Sequence, residues 1–578
     1  MNATEKVLVI GDDMRSFLAT VRSLGRQGIE VHAAPFDFSS PALTSRYIRQ
    51  VHRLPFYLDG GHDWLSGMVQ LLEAEKFKLV IPCDERSLLP LIRHEEELNR
   101  HSKLAIPDAR GMELFFDKLN TRELAKALDV PVAIGRGLLA TDTVHSIVRD
   151  VGIPLIAKYR KSYTWPELYV RTKTAVINSE AELSEWLSKN QSDGDQIFFE
   201  RMFPGIGVGV SVLCNKGEVL QAFEHHRVRE LHGAGYYRKS ASLDKARLDA
   251  VSKMVKEASY TGVAMFEFKV DFDSGEWILL EVNARPWGSL PLPVAAGIDF
   301  PYRLYCLLAK GQTTAQVGYK AGIYGRNLIQ DLGQVRTVIQ MNRRSPMKLM
   351  VYLAKWMLEF RHLLLCREFH DGFTRDDTRP GIVEIKRACV SFTNAIRKRL
   401  LGAPQPHAAG LKQKIIADLK SSASQVRVLF VCEGNICRSP YAELKLWQLI
   451  HQHADKFEIT SAGMLPRNKR GSPQVAIEAA ARRGVEMEKH LSQHAFDEKM
   501  RSATQVLIFD RVNYNSIMAR YPVYAGKIFF IGELAGQDGK VVEIADPIGK
   551  ATATFDATYQ QIDVCLQGYA DTVISTIK

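Results

Sequence analysis

Two stretches of this 578-residue chain hold side chains whose types and spacing could do chemistry. The first is VCEGNICRSP, residues 431–440, which follows the apolar run VRVLF and precedes the helix-like YAELKLWQLI. It sets Cys432 at the end of a strand and Arg438 at the start of a helix. A loop between the two turns successive backbone N–H groups inward and adds the helix dipole, which makes an anion cradle. Phosphate suits it, and the fork of Arg438 matches two phosphate oxygens. Such a field favours thiolate over thiol, so Cys432 is read as a nucleophile for phosphorus, giving a phosphocysteine that water later hydrolyses. Ser439 can donate to the sulfur, while Gly434 and Asn435 suit the backbone turns such a loop needs. Asp546 in EIADPIGK, fixed by Pro547, can supply the leaving group's proton and later act as base.

The second stretch is FEFKVDFDSGEWILLEVNARP, which reads as a hairpin with DSG at its turn. Glu267 and Glu281 lie on opposite arms, and Asn283, two residues on, shares the face of Glu281. Three oxygen ligands on one face suit Mg2+, or Mn2+ in its place, with room for waters and ATP phosphates. Arg285 can meet a transferred phosphoryl group. Lys118 in DKLNT and Lys158 in PLIAKYR suit phosphates, and Glu200 in FFERMFPG reads as a hinge against adenine and ribose. Arg227 and Arg229 in EHHRVRELHGAG are candidates for binding a substrate carboxylate.

The elements that must position these residues divide the chain into four regions. Residues 1–107 alternate strands (KVLVIG, IEVHAAP, KLVIPCDE) with helices, which implies a parallel sheet. GDDMRS is not a dinucleotide fingerprint, so no NAD site is expected. Residues 108–315 mix helix and strand and carry the hairpin. Residues 316–424 read as a basic, largely helical linker, with PMKLMVYLAKWMLEFRHLLL as one helix and GAPQPHAAG as a flexible join. Residues 425–578 form a last α/β unit.

At 46% hydrophobic and 24% charged residues, the composition is that of a globular protein, and its length asks for several cores. No apolar run is long enough to span a bilayer, and the N-terminus has no signal-peptide layout. Eight cysteines without disulfide or zinc spacing point to the cytoplasm. Of the net charge of +11, a surplus of nine sits in 331–420, with 17 Lys/Arg against 8 Asp/Glu. That segment could meet an anionic membrane; no nucleic-acid module or aromatic-basic face is visible, so no specific nucleic acid is expected.

The motifs VCEGNICRSPYAE, TSAG at 460–463, HLSQ at 490–493 and DP at 546–547 fall in the order of the low-molecular-weight protein tyrosine phosphatases, which residues 425–578 resemble. The resemblance implies a doubly wound α/β domain in which Cys432 is nucleophile, Arg438 binds phosphate, Ser439 supports the thiolate and Asp546 is the acid. Gly434, Asn435, Ile436 and Cys437 then belong to the phosphate loop, and Cys437 matches a second loop cysteine able to form a protective disulfide with the nucleophile. Ile548 and the pair Met464–Leu465 stand where aromatic pocket walls are common, so the expected substrate is a phosphotyrosine protein or another phosphomonoester. Arsenate reduction is the rival chemistry for such a loop.

Residues 1–315 resemble the ATP-grasp superfamily, nearest the carboxylate–amine ligases related to carbamoyl-phosphate synthase, with EVNARPWGS the most specific phrase. The resemblance implies a parallel-sheet domain ahead of an α+β ATP-grasp domain. It makes Glu267, Glu281 and Asn283 metal ligands and Lys118, Lys158 and Glu200 the residues that hold ATP. The implied reaction joins a small-molecule carboxylate to an amine or thiol through an acyl phosphate. The segment YRKSYTW has no glycine where relatives carry a Gly-rich lid. The expected protein is therefore a bifunctional cytoplasmic enzyme; the alternative is a non-catalytic nucleotide sensor governing the phosphatase.

Overall fold

The computed structural model describes residues 5–57, 60–163, 168, 172, 174–231, 234–342, 345–400, 410–421, 425–465, 469–495, 497–535 and 542–577. The expected join at 402–410 lies almost wholly outside these residues, and the glycine-free segment at 159–165 lies only partly within them. The chain divides into two compact units, Met1–Phe392 and Thr393–Lys578.

The first unit opens with a five-stranded parallel sheet in the order Ile48–Val51, Glu30–Ala34, Lys6–Ile10, Leu79–Pro82, Lys103–Leu104. Its central strands read as continuous apolar runs because helices cover both faces. Phe17, Leu18 and Val21 pack on one side, with Trp64, Met68 and Leu72 on the other. A small antiparallel sheet follows, in the order Gly135–Gly137, Ile197–Arg201, Leu155–Tyr159, Ala175–Ile177. A larger sheet of seven strands begins at its edge with Trp277–Asn283, then Gly262–Val270, Ile206–Asn215, Glu218–Leu231 and Ala234–Ala241. The expected hairpin is the edge pair, with Glu267 directly opposite Glu281 and Met265 opposite Asn283.

The last two strands of this sheet are Tyr324–Arg326 and Glu368–His370. This corrects the reading of 316–424 as one linker, since its first part is built into the sheet. The two strands have only three residues each and no alternating apolar pattern; they are held by buried charge. Arg326, fully buried, pairs with Asp331 at 2.5 Å and with Glu368 at 2.6 Å. Arg238 pairs with Asp371 at 2.6 Å, and Arg22 reaches Asp377 at 2.9 Å across 355 residues of sequence.

The second unit is a four-stranded parallel sheet, in the order Phe457–Gly463, Val426–Cys432, Gln505–Ile508, Ile528–Phe530. The 26-residue helix Thr552–Ile577 buries Tyr559, Ile562, Leu566 and Tyr569 against it. Leu411 and Ile415, from the helix Leu411–Ser421, are buried in the same core, so this unit's structure starts before the expected boundary at 425.

Candidate active sites

Val426–Cys432 is the second strand of its sheet, and its apolar run ends at Cys432, just before the helix Arg438–Ile450. The loop between them is buried: Cys432 is 3% exposed and Arg438 1%. Cys432 Sγ lies 3.0 Å from Ser439 Oγ and accepts the Asn435 backbone N–H at 3.2 Å. Ser439 Oγ in turn accepts from Asn435 Nδ2 at 2.8 Å, which leaves its own proton for the sulfur. Asn435 has φ of 51°, left-handed and uncommon outside glycine. Three further hydrogen bonds hold it there, in a fully buried position: Nδ2 to Ser461 Oγ at 2.8 Å, Oδ1 from Gln493 N at 2.7 Å, and its carbonyl with His490 Nε2 at 2.9 Å.

Arg438 donates Nη1 to Asp510 at 2.5 Å and to the Ile544 carbonyl at 2.9 Å, and Nη2 to Asp546 at 2.7 Å. Its Nε is buried with no hydrogen-bond partner. A buried donor costs free energy until it finds an acceptor, so the cradle can take an anion. Asp546 is a third exposed, with Ile548 N donating to its other oxygen at 3.2 Å. Burial, with Cys432 beside it, pushes the Cys437 thiol up to about 12. Burial also raises the Glu433 carboxyl, which accepts from Ser516 at 3.5 Å. Arg470 donates to the Gly434 carbonyl at 2.8 Å. Met464 is turned into the core, whereas Ile548 is exposed.

In the first unit the hairpin brings its three ligand candidates together. Asn283 Nδ2 is 3.2 Å from Glu267 Oε1 and 3.5 Å from Glu281 Oε1. Arg285 donates to Asn283 Oδ1 and to Glu85, each at 3.1 Å, and its Nε is buried without a partner. Two carboxylates and an amide on one face fit a hard divalent cation, and an unsatisfied guanidinium beside them fits a phosphoryl oxygen. A cavity of about 300 Å³ opens here, lined by Glu85, Phe116, Lys118, Ser162, Glu281 and Asn283 among others. Lys118 Nζ points to Ser162 Oγ at 3.1 Å.

Other expected residues lie elsewhere. Lys158 and Glu200 do not line this cavity; they pair with each other at 2.5 Å, and Glu200's second oxygen takes Arg122 at 2.9 Å. With both oxygens engaged and 4% exposed, Glu200 is a buried counter-ion rather than an open hinge contact. Arg227 donates to Glu267 at 2.5 Å. Arg229 is not available to a substrate carboxylate: Asp331 takes it through Nε and Nη2, and Glu359 takes Nη1.

Sequence reasoning missed Asp510, Arg470 and Arg122, and it singled out the motifs holding Ser461 and His490 without giving either residue a role. Asp510 had one legible signal, the D-x-x-N spacing of a helix cap, which it fulfils by accepting Asn513 N at 2.8 Å. Its second role at Arg438 depends on the fold.

A family described as "Low molecular weight phosphotyrosine protein phosphatase" matches residues 427–577, and one described as "ATP-grasp in the biosynthetic pathway with Ter operon" matches 195–328. The probable low molecular weight protein-tyrosine-phosphatase EpsP of Ralstonia nicotianae is 30% identical over 135 residues, covering 23% of this chain and 87% of that protein. Among solved structures, N5-carboxyaminoimidazole synthetase from Staphylococcus aureus aligns at TM-score 0.46 and 16% identity, covering 59% of this chain and 86% of that one. Rhizobium etli pyruvate carboxylase aligns at TM-score 0.43 and 18% identity over 54% of this chain, which spans only 29% of that longer chain. With its cysteine–arginine loop and this match, the chain belongs through residues 427–577 to the low molecular weight protein-tyrosine-phosphatase family, fused to an ATP-grasp module in one bifunctional enzyme.

Proposed function

We propose that the second unit hydrolyses a phosphomonoester, with phosphotyrosine in a protein as its substrate class, through a phosphocysteine on Cys432. The observation that carries this reading is the pairing of a sulfur held by Ser439 Oγ and Asn435 N–H with the unpartnered Nε of Arg438. In the first step Cys432 Sγ attacks phosphorus, the P–O bond to the leaving group breaks, and protonated Asp546 gives that oxygen its proton. In the second, Asp546 takes a proton from water, the water oxygen attacks phosphorus, and the S–P bond breaks to release phosphate. Arg438 and the loop amides stabilise the equatorial oxygens in both steps. Acid quench of Asp546→Asn during turnover of an aryl phosphate, followed by peptide mass spectrometry, should place a phosphoryl group on the Cys432 peptide. An unmodified peptide at steady state overturns the assignment.

For the first unit the proposed reaction joins a small carboxylate to an amine or thiol through an acyl phosphate, using ATP and Mg2+, with Mn2+ as the substitute ion. Glu267, Glu281 and Asn283 would hold the ion, which when bound offsets phosphate charge. Lys118 lines the cavity and Arg285 sits on Asn283 at its edge, and both bind phosphate oxygens. Lys158 acts through its pair with Glu200. Arg227 is the remaining substrate candidate. A second reading, a nucleotide sensor without turnover, draws support from the Arg227–Glu267 pair, which puts an internal cation on a metal carboxylate. ADP release across a panel of carboxylates and amines decides: silence with intact ATP binding favours the sensor. The eight cysteines fall in no disulfide or zinc spacing along the sequence, which supports a reducing, cytoplasmic setting.

A further inference from the structure

The helix Pro346–Glu359 is held on one side only. Trp356 Nε1 donates to Asp331 at 2.9 Å, Glu359 binds Arg229, and the Phe360 ring that follows lies under the Arg326 guanidinium at 4.8 Å. The opposite stripe, at positions 347, 350, 351, 357 and 358, follows the helical period and is apolar throughout. Met347 is 71% exposed, and Met350, Val351, Met357 and Leu358 are exposed with it. Leu364, in the next short helix, is 84% exposed and extends the patch. No residue of the Pro346–Glu359 helix is buried.

The charge around this stripe is one-sided for a structural reason. Six of the seven acids between 331 and 392 are bound by arginines from outside that segment: Asp331 and Glu359 by Arg229, Glu368 by Arg326, Asp371 by Arg238, Asp376 by Arg26 and Asp377 by Arg22. The seventh, Glu384, is partly buried beside Asp371, where burial pushes its carboxyl up to about 7. Arg336, Lys348, Lys355 and Arg361 are exposed, and among the described residues none of them forms an ion pair. The fold therefore leaves an apolar stripe edged by unpaired cations.

We infer that this face docks the protein on an anionic lipid surface, with the methionine–leucine stripe in the acyl boundary and Lys348, Lys355 and Arg361 at the headgroup phosphates. The pattern is that of an interfacial helix. Among the described residues no helix is long and apolar enough to cross a membrane, so the helix lies on the bilayer. A second copy is a poor occupant, because a two-fold contact would set cations against cations.

The test is co-sedimentation of the full chain with phosphatidylcholine vesicles, with and without phosphatidylglycerol, at low and high salt. Binding is expected only to the anionic vesicles, and is expected to weaken steeply with salt. Lys348→Glu/Lys355→Glu/Arg361→Glu should lower partitioning about a hundredfold or more. Met350→Ser/Met357→Ser/Leu358→Ser should lower it as well, whereas adsorption by charge alone would leave it unchanged. Both variants should keep the circular dichroism and aryl-phosphate turnover of the parent. Three outcomes overturn the inference: no anionic-vesicle binding at low salt, binding indifferent to both variants, or a solution dimer that the serine variant dissociates.

Discussion

Arg438 holds Asp546 at 2.7 Å while Asp510 holds Arg438 at 2.5 Å. In the proposed reaction the guanidinium that would bind phosphate is thus shared between a buried carboxylate that orients it and a part-exposed one that would serve as the proton donor. An arriving phosphate competes with Asp546 for Nη2, while Nε stands open to it. Asp546→Asn should therefore bind inorganic phosphate more tightly than the parent. It should slow phenyl phosphate by about 10²–10⁴-fold and slow a substrate with a good leaving group much less. Steady-state kinetics over a series of leaving groups checks this; equal slowing across the series argues against a proton donor at 546.

Cys432→Ser should abolish aryl-phosphate hydrolysis yet keep phosphate affinity within a few fold, since amides and Arg438 hold the anion. Calorimetric titration with phosphate checks the second half. Loss of both would mean that the loop had collapsed.

Asn435 separates backbone strain from side-chain bonding. Asn435→Ala loses three side-chain hydrogen bonds and puts a Cβ without compensation at φ 51°. Asn435→Gly loses only the bonds. The alanine variant should be the less stable by about 1 kcal/mol, and both should lose activity, as read by denaturant melts and kcat/KM.

His494 ties the second unit to pH. Burial, with Arg520 nearby, holds its imidazole down to about 4, and its Nδ1 faces the carbonyls of Gly463 at 3.2 Å and Leu465 at 3.1 Å. The unfolded chain takes up this proton below about 6.5 and the folded chain only near 4, so the unfolded state gains as pH falls between those values. Stability should drop by about 3 kcal/mol across that window, and His490, also lowered by burial, adds in the same direction. His494→Gln should flatten the stability profile between pH 7 and 4 in urea melts. A profile as steep as the parent's would place the effect elsewhere.

Nucleotide binding in the first unit should require the hairpin acids. Mg2+ with ATP should raise the melting temperature of the full chain, and chelation should remove the shift. Glu281→Gln and Lys118→Ala should each weaken the shift, equivalent to about tenfold or more in affinity.

The central segments of both candidate sites were legible in the sequence because each is local. Cys432 to Ser439 spans eight residues, and the hairpin's register follows from its alternation and turn. What was not legible is set by distant partners. Glu200 looked like a strand-end hinge until Arg122, 78 residues away, took its second oxygen. Arg229 looked like a free cation because Asp331 and Glu359 are more than 100 residues further on. Three-residue strands such as Tyr324–Arg326 carry too little pattern to be seen, since buried ion pairs rather than apolar alternation hold them.

The longest of those links also redefines what can be cut out and still fold. Arg22 donates four hydrogen bonds to Asp371, Gly372 and Asp377. Ending a fragment at 315 would strand Arg22 and Arg238 in the interior without their counter-charges Asp377 and Asp371, at several kcal/mol each. The heritable building block on the nucleotide side is thus a closed circuit, its first helix clasped by its last loop, and a recombination event would have to move it whole.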